Sequence, residues 1–392
     1  MIRKTLSASA ILAGVMLLCC AWAGPARVEG LRTMIGEAPG EASFSWKLRD
    51  SRPNVMQTAY QIDVAASPKD LRRGRNLVWS SGRVEDGHSL YIPYEGPQLA
   101  EGARYWWKVT VWTGRGKVSV RQPASWFNGI SPESWGAEWI GIDDPQDVVR
   151  DDQKRTSLPA RYLRKTLNAT HKVKSATLFI CGLGSSVCWI NGQQVGDDIF
   201  GPLPTWYPAS ALYLTYDVTH LLRKGDNALG VALGNGRYMG MRDWSSFYFG
   251  VPRLIARLDI VYKNGEKESI VTDGSWSVTK DGPVTKNNEY DGESYDARKD
   301  LGAWTTASYE ADARWKDADI MDAPGGVLRA QMSPGLKVQD RLTPAKVWQT
   351  PDGRVLLDMG QNMVGWLKVR LRGHEGQPLT LRFAEVLQPE DS

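Results

Sequence analysis

The twelve residues EYDGESYDARKD, 289–300, gather five carboxylates and two cations in a chain that otherwise alternates polar and apolar residues. Three arrangements use such a cluster: a calcium loop, a general acid–base pair, or a polar loop held by its own ion pairs. A helix-loop-helix calcium loop would begin at Asn287, with Glu289 and Asp291 as ligands and Gly292 sixth. Its twelfth position takes a bidentate acid, and Arg298 stands there. A glycosidase pair needs one carboxyl of raised pKa and one ionised carboxylate across a sugar cleft. The neighbouring Arg298 and Lys299 would lower the acids instead. The segment therefore reads as a structural acidic strap in which Glu289, Asp291, Glu293 and Asp296 pair with Arg298, Lys299 and backbone amides. Contact with a ligand or a neighbouring domain is the alternative.

Elsewhere the reactive residues are dispersed. His88, His171, His220 and His374 have neither metal-pair spacing nor a nucleophile motif beside them. Gly234-Asn235-Gly236 lacks the third glycine and following helix of a dinucleotide site. No cofactor is implied, and calcium is the only ion to consider. Tryptophan is abundant, at 17 residues, and large aromatics fill sandwich cores. Trp46, Trp79, Trp107 and Trp366 sit in or beside alternating strands and read as core. Trp206 and Trp244 sit in loop-like stretches and could instead face a sugar or another domain, with Asn235 and Arg237 in the same group of loops. An oxidising compartment would permit a disulfide between Cys181 and Cys188 if Gly184 and Ser185 form a hairpin tip; two buried free thiols are the alternative.

The elements that must position these groups are strands. YQIDVAAS places Tyr60, Ile62 and Val64 on one face, and RYWWKVTVW does the same with Tyr105, Trp107, Val109 and Val111. Asn264-Gly265 joins two strands as a tight hairpin. A second hairpin is expected from Leu367, Val369 and Leu371 to Leu379, Leu381 and Phe383. A short helical turn is expected in DVTHLLRKGDN, ended by Gly225. ISPESWGAEWIG reads as a linker, and 281–323 as a stretch without clear strands. The class is all-β. Because the 392 residues stop just after the expected hairpin, they read as a piece of something longer.

Residues 1–23 have the pattern of an export signal: Arg3 and Lys4, an apolar run from Leu6 to Cys20, then Ala21-Trp22-Ala23. The product is expected in the periplasm or outside the cell, with no membrane attachment after cleavage. Arg3 and Lys4 are two of the 48 basic residues and none of the 44 acids lies in that segment, so the remainder carries a net +2. That leaves no electrostatic footprint for nucleic acid.

WINGQQVGDD, LYLTYDVTHLLRKGDNALGVALGNGRY, DGESYDARKD and LLDMGQNMVGWLKVRLRG occur in this order. In that order they resemble the bacterial α-L-rhamnosidases, glycoside hydrolase family 78. The opening QTAYQIDVA, WSSGRV and YWWKVTVW are similar to the fibronectin-like domain that begins many of them. The resemblance implies a fibronectin-III-like sandwich over 24–131. A jelly-roll (galactose-binding-like) β-sandwich would follow over 135–325, and then the start of a further β-sandwich over 330–392. It also implies that the catalytic (α/α)6 barrel, which hydrolyses terminal α-L-rhamnosides with inversion, lies outside these residues as a partner domain. Rhamnose-containing glycosides or polysaccharides would be the ligands. Glu289, Asp291, Glu293 and Asp296 then match a family signature without being its catalytic acids. Some relatives carry a calcium-assisted rhamnose-binding jelly-roll, but no residue here matches its ligands position by position. A stand-alone secreted carbohydrate-binding protein is the competing expectation.

Overall fold

A computed structural model describes residues 26–35, 41–144, 149–150, 156–242 and 245–386. The leader segment 1–23 and Trp244 lie outside them. Residues up to Leu336 form one unit and those from Lys337 onward another.

The first unit opens with a two-sheet sandwich. One sheet orders strands Arg27–Ile35, Ala42–Arg49 and Ile92–Pro93; the other runs Leu77–Ser80, Gln57–Ala65, Arg104–Thr113, Gly116–Ser119, with Ala124–Phe127 also on Arg104–Thr113. The alternation seen in the sequence is the burial pattern. Ile62, Val64, Trp107, Val109 and Val111 are fully enclosed between the sheets with Phe44 and Trp46. Gln57 secures that tryptophan by accepting its indole N–H at 2.9 Å. Pro68–Arg73 is a short helix, capped by Ser67 and closed by Gly74 at φ +61.

The second sandwich follows with a six-stranded and a seven-stranded sheet. The first orders Gln193–Gln194, Ser185–Ile190, Gly225–Gly234, Arg161–Ala169, Ser277–Thr279 and Lys316–Asp317. The second orders Asp319–Met321, Trp139–Gly141, Arg253–Tyr262, Val173–Leu183, Ser210–Asp217 and Val327–Ala330, with Lys267–Val271 beside Arg253–Tyr262. Leu163, Leu229 and Val231 of the first meet Leu178, Ile180 and Leu258 of the second. Gly265 sits at φ +94 in the expected hairpin, and a 3-10 turn occupies Thr219–Leu221.

Four expectations need correction. Strand Trp139–Gly141 lies inside the seven-stranded sheet, and Ile130 and Trp135 are buried, so the expected linker is core. Cys181 and Cys188 are free thiols and not partners across a hairpin. At Gly184 the chain leaves one sheet for the other, which puts Cys181 on the outer face of the seven-stranded sheet and Cys188 between the sheets. Burial pushes both thiols well above their ordinary pKa. Within 281–323 lies a hairpin, Val284–Asn288 against Gly292–Tyr295. Among the described residues of the second unit only Lys346–Gln349 and Val355–Asp358 pair; residues 366–386 form no strand, and Trp366 is 63% exposed. Alternation marks a face that needs cover, not the strand that supplies it.

The outer face of the six-stranded sheet is covered by the segment following that hairpin. Leu301 and Trp315 pack on Tyr162, with Trp304 and Tyr309 beside them. Arg164 fastens the cover: Nε donates to Trp304 O at 3.1 Å, Nη2 donates to Thr306 O at 3.2 Å, and the guanidinium lies over the Tyr309 ring at 5.2 Å. Trp304 and Thr305 come so close that a Cβ on Gly230 would sit 2.8 Å from each. Replacing Arg164 with Met should therefore lower stability by about 2–3 kcal/mol, since two carbonyls lose a charged donor. Urea unfolding measures this, and limited proteolysis should move its first cut into 300–310. Unchanged stability and cleavage would show that the aromatic residues hold the cover unaided.

Candidate functional site

The chain turns several of the singled-out residues toward one end of the second sandwich, where Gly184, Gly234, Asn235 and Gly236 pass Asn287. Backbone crowding explains these glycines. A Cβ on Gly184 would sit 1.9 Å from Gly234 O, and one on Gly236 2.7 Å from the Gly184 carbonyl carbon. Asn235 is completely buried and bridges this crossing. Its amide N–H donates to Asn287 Oδ1 at 2.7 Å, and its Nδ2 donates to Leu158 O at 2.9 Å and to Asn287 O at 2.6 Å. These bonds occupy its Nδ2, while its Oδ1 is buried without a hydrogen-bond partner, so Asn235 acts in the framework.

Above the crossing lies the acidic hairpin. Asn288 initiates its tip by accepting from the N–H groups of Tyr290 and Asp291, at 2.8 and 2.6 Å, and Gly292 closes it at φ +79. A short loop closed by a left-handed glycine, here Glu289 to Asp291 followed by Gly292, is a usual hairpin connection. The Asn-Asn before EYDG and the Asp-Gly within it were the signals that sequence reading passed over. Glu289 leaves the tip to form a bidentate pair with Arg237, Nε and Nη2 each donating at 2.7 Å. Both side chains are 39% exposed. The pair raises the Arg237 pKa, chiefly through that hydrogen bonding. Its charges reach the buried Tyr207 phenol, which burial holds above its ordinary pKa.

Tyr207 and Phe249 link this pair to an exposed aromatic residue. Trp206 is 64% exposed and packs edge-on against Phe249, with centroids 5.3 Å apart. Phe249 in turn meets Tyr207 and Tyr238. The Trp206 carbonyl accepts from Ala209 and Ser210 N–H, which fixes the turn carrying the ring. The result is an apolar ring face near a half-exposed ion pair, the combination that stacks on one face of a sugar and bonds its hydroxyls. Trp206 and Arg237 are thus linked through the Phe249 and Tyr207 rings rather than by direct contact, Asn235 is buried in the crossing, and Trp244 is outside the described residues. Tyr207 and Phe249 were missed because nothing in their spacing marks them.

The remaining acids of the strap act locally. Asp291 accepts from Asn288 Nδ2 at 2.7 Å, while Glu293 stands opposite Asn287 in the hairpin. Asp296 does not tie the segment to the sandwich: it caps a 3-10 turn and binds Arg298, two residues on, at 2.8 and 2.7 Å. The Arg298 side chain is 90% exposed. Hydrogen bonds from Arg298 bring the Asp296 carboxyl down to about 2. Framework duty falls instead to Arg161, whose buried guanidinium donates to Asp144 at 2.7 Å, where Lys280 also binds at 2.8 Å.

Comparison with known proteins supplies an independent view. Residues 24–131 match the family described as the Rha78A-like N-terminal immunoglobulin domain. Residues 171–340 match the alpha-L-rhamnosidase N-terminal domain, and 348–392 the bacterial alpha-L-rhamnosidase concanavalin-like domain. An alpha-L-rhamnosidase of Formosa agariphila is 34% identical over 366 residues, covering 88% of this chain and 38% of that protein. The structure of an alpha-L-rhamnosidase from Dictyoglumus thermophilum superposes with a TM-score of 0.72 at 32% identity, over 86% of this chain and 39% of that one. One from Aspergillus terreus gives 0.72 at 26% identity, over 87% and 39%. The chain spans 38–40% of the length of the three curated relatives that it matches at 31–34% identity.

Two measurements separate framework from site. Asn235→Ala should destabilise by about 2–4 kcal/mol in chemical unfolding, because buried carbonyls lose their donor; a neutral result would contradict its bridging role. Asp296→Ala should leave the melting temperature nearly unchanged. Carboxyl NMR should place the Asp296 midpoint near 2 and move it up in Arg298→Gln. A lowered carboxyl stabilises above its unfolded pKa and loses that effect as pH falls through the folded value, so this small contribution should fade between about pH 4 and 2.

Proposed function

We propose, from the premise that this chain belongs to the bacterial α-L-rhamnosidase family and carries its N-terminal β domains, that it serves hydrolysis of terminal α-L-rhamnosides. The whole protein would act with inversion, one carboxylic acid protonating the leaving oxygen and one carboxylate activating water. Such chemistry consumes only water and needs no cofactor. In this reading the acid and base lie outside these residues, in a helical barrel of the longer protein. The supporting observation is electrostatic: among the described residues, every carboxyl with a resolved shift is lowered, from Asp50 and Glu101 to Asp319 and Asp352. A general acid requires the opposite.

The contribution of this chain is then to support that barrel and to present the Trp206 ring and Arg237–Glu289 pair to rhamnose-containing glycans. Export through the leader 1–23, to the periplasm or beyond, would bring it to such glycans. The exposure of Trp206 also favours a second reading, a secreted carbohydrate-binding protein without catalysis. Reading the gene past Ser392 distinguishes the two: helical segments with paired acids support the enzyme, an immediate stop the binder.

The purified 392-residue chain should not hydrolyse an aryl α-L-rhamnoside above background, and turnover that persists through stringent purification would relocate the active site to these residues. Titration with rhamno-oligosaccharide should give binding that weakens about tenfold in Trp206→Ala, roughly 1.4 kcal/mol, the upper range for one aromatic contact. Equal affinity of the variant would remove Trp206 from the proposal.

A further inference from the structure

A wide cleft lies in the first sandwich, and Trp206 is not among the residues that line it. It measures about 1790 Å³ and runs between strands Arg27–Ile35 and Gly116–Ser119 and the turns beside them. Both are edge strands of their own sheets, so the sandwich is open there. Small-molecule pockets are on the order of 300–1,000 Å³. This one suits an extended ligand.

Its lining is basic. Arg27, Arg49, Arg52, Arg115, Lys117 and Arg121 face only two carboxylates, Glu29 and Asp50. Glu29 is shared by Arg27 and Arg49, and Asp50 is held by Arg52. Arg115 reaches Asp50 only through its field, as a minor cause of that carboxyl's lowered pKa. Among the described residues no carboxylate forms an ion pair with Arg115, Lys117 or Arg121. All three are exposed. Val120 N–H extends the ladder by donating to Val109 O at 3.1 Å, so the chain stays extended toward Arg121. At about 3.3 Å per residue, Lys117 and Arg121 are about 13 Å apart. That is a backbone span, which two long side chains can close, but the charge of one carboxylate or sulfate does not balance Arg115, Lys117 and Arg121 together; a chain with repeated anionic groups does.

From this cleft we infer a second binding site, for a polysaccharide that bears regularly repeated sulfate or carboxylate groups. The inference rests on the reading of this protein as one that handles glycans. Single-stranded nucleic acid is the lesser fit, because its capture relies on aromatic platforms and no aromatic residue lines the cleft. The same lack separates it from the Trp206 face: one site would recognise ring faces, the other charge.

The test is affinity electrophoresis of the full chain in gels containing dextran sulfate, polygalacturonate, neutral dextran, or duplex DNA. One variant carries Arg115→Ala, Lys117→Ala and Arg121→Ala. A control carries Lys174→Ala, Lys263→Ala and Lys267→Ala, the same loss of charge on exposed positions of the second sandwich. The wild type and control should be retarded by at least one of the two anionic glycans, and which one identifies the anionic group. Retardation should fall at least tenfold in the cleft variant, be absent in neutral dextran, and collapse in high salt, where screening shortens to a few ångströms. Equal retardation of the cleft variant and the wild type, an equal loss in the control, or DNA held as tightly as either glycan would overturn it. Trp206→Ala should keep this binding. A chain that fails to bind rhamno-oligosaccharide yet is held by the anionic glycan would sink the Trp206 proposal alone.

Discussion

The seven-stranded sheet of the second sandwich is apolar on both faces, and the rest of the first unit is arranged around that fact. Along Val173–Leu183, Leu178 and Ile180 point between the sheets while Phe179, Cys181 and Leu183 point outward, all of them buried. A strand buried on both sides needs two covers, and the six-stranded sheet is only one. The other is assembled from pieces far apart in sequence: Ile130 and Trp135, Leu158, Tyr207, Tyr238 and Val251. The burial is non-directional, and a few polar contacts give it orientation. Tyr213 accepts the Ile130 N–H at 2.8 Å, and a Cβ on Gly102 of the first sandwich would sit 3.2 Å from the Phe179 ring. The first sandwich is thereby seated on the second, with Glu101 bonded to Ser131 and Ser134 at the junction.

That cover also builds the candidate site. The aromatic cluster which completes it, Tyr207, Tyr238 and Phe249, is the base from which Trp206 stands out. A side chain backed by packed rings loses little further freedom on meeting a ligand. The exposed ring of the candidate site is thus a by-product of closing the core.

Density of charge proved a poor guide to chemistry. Three of the five acids of 289–300 are held by side chains: Glu289 by Arg237, Asp291 by Asn288, and Asp296 by Arg298. The first sandwich shows the reverse. Its cations come from two stretches, Arg27 to Arg52 and Arg115 to Arg121, and two edge strands bring them into one cleft with too few carboxylates to balance them. What matters is whether a charge finds its counter-charge within hydrogen-bond reach, and that depends on folding.

The sequence by itself determined the class, many of the strands, the tight hairpin at Gly265 and most of the core of the first sandwich. Period-2 alternation is a local property, and Ile62, Val64, Trp107, Val109 and Val111 are buried as it requires. The ordered motifs also carried the family, since they sample the chain at several points. Only the tertiary structure decided which sheet each strand joins. Gly184 shows the reason. Its two flanking strands look like a hairpin, but the chain changes sheets there, so Cys181 and Cys188 end on different faces and Asn235 and Asn287, 52 residues apart, become partners. The ladder partners of a strand are set by non-local burial, which no short window records. For the same reason Asn235 was read as a site residue, Asp296 as an anchor, and Arg164, Tyr207 and the cleft were not read at all.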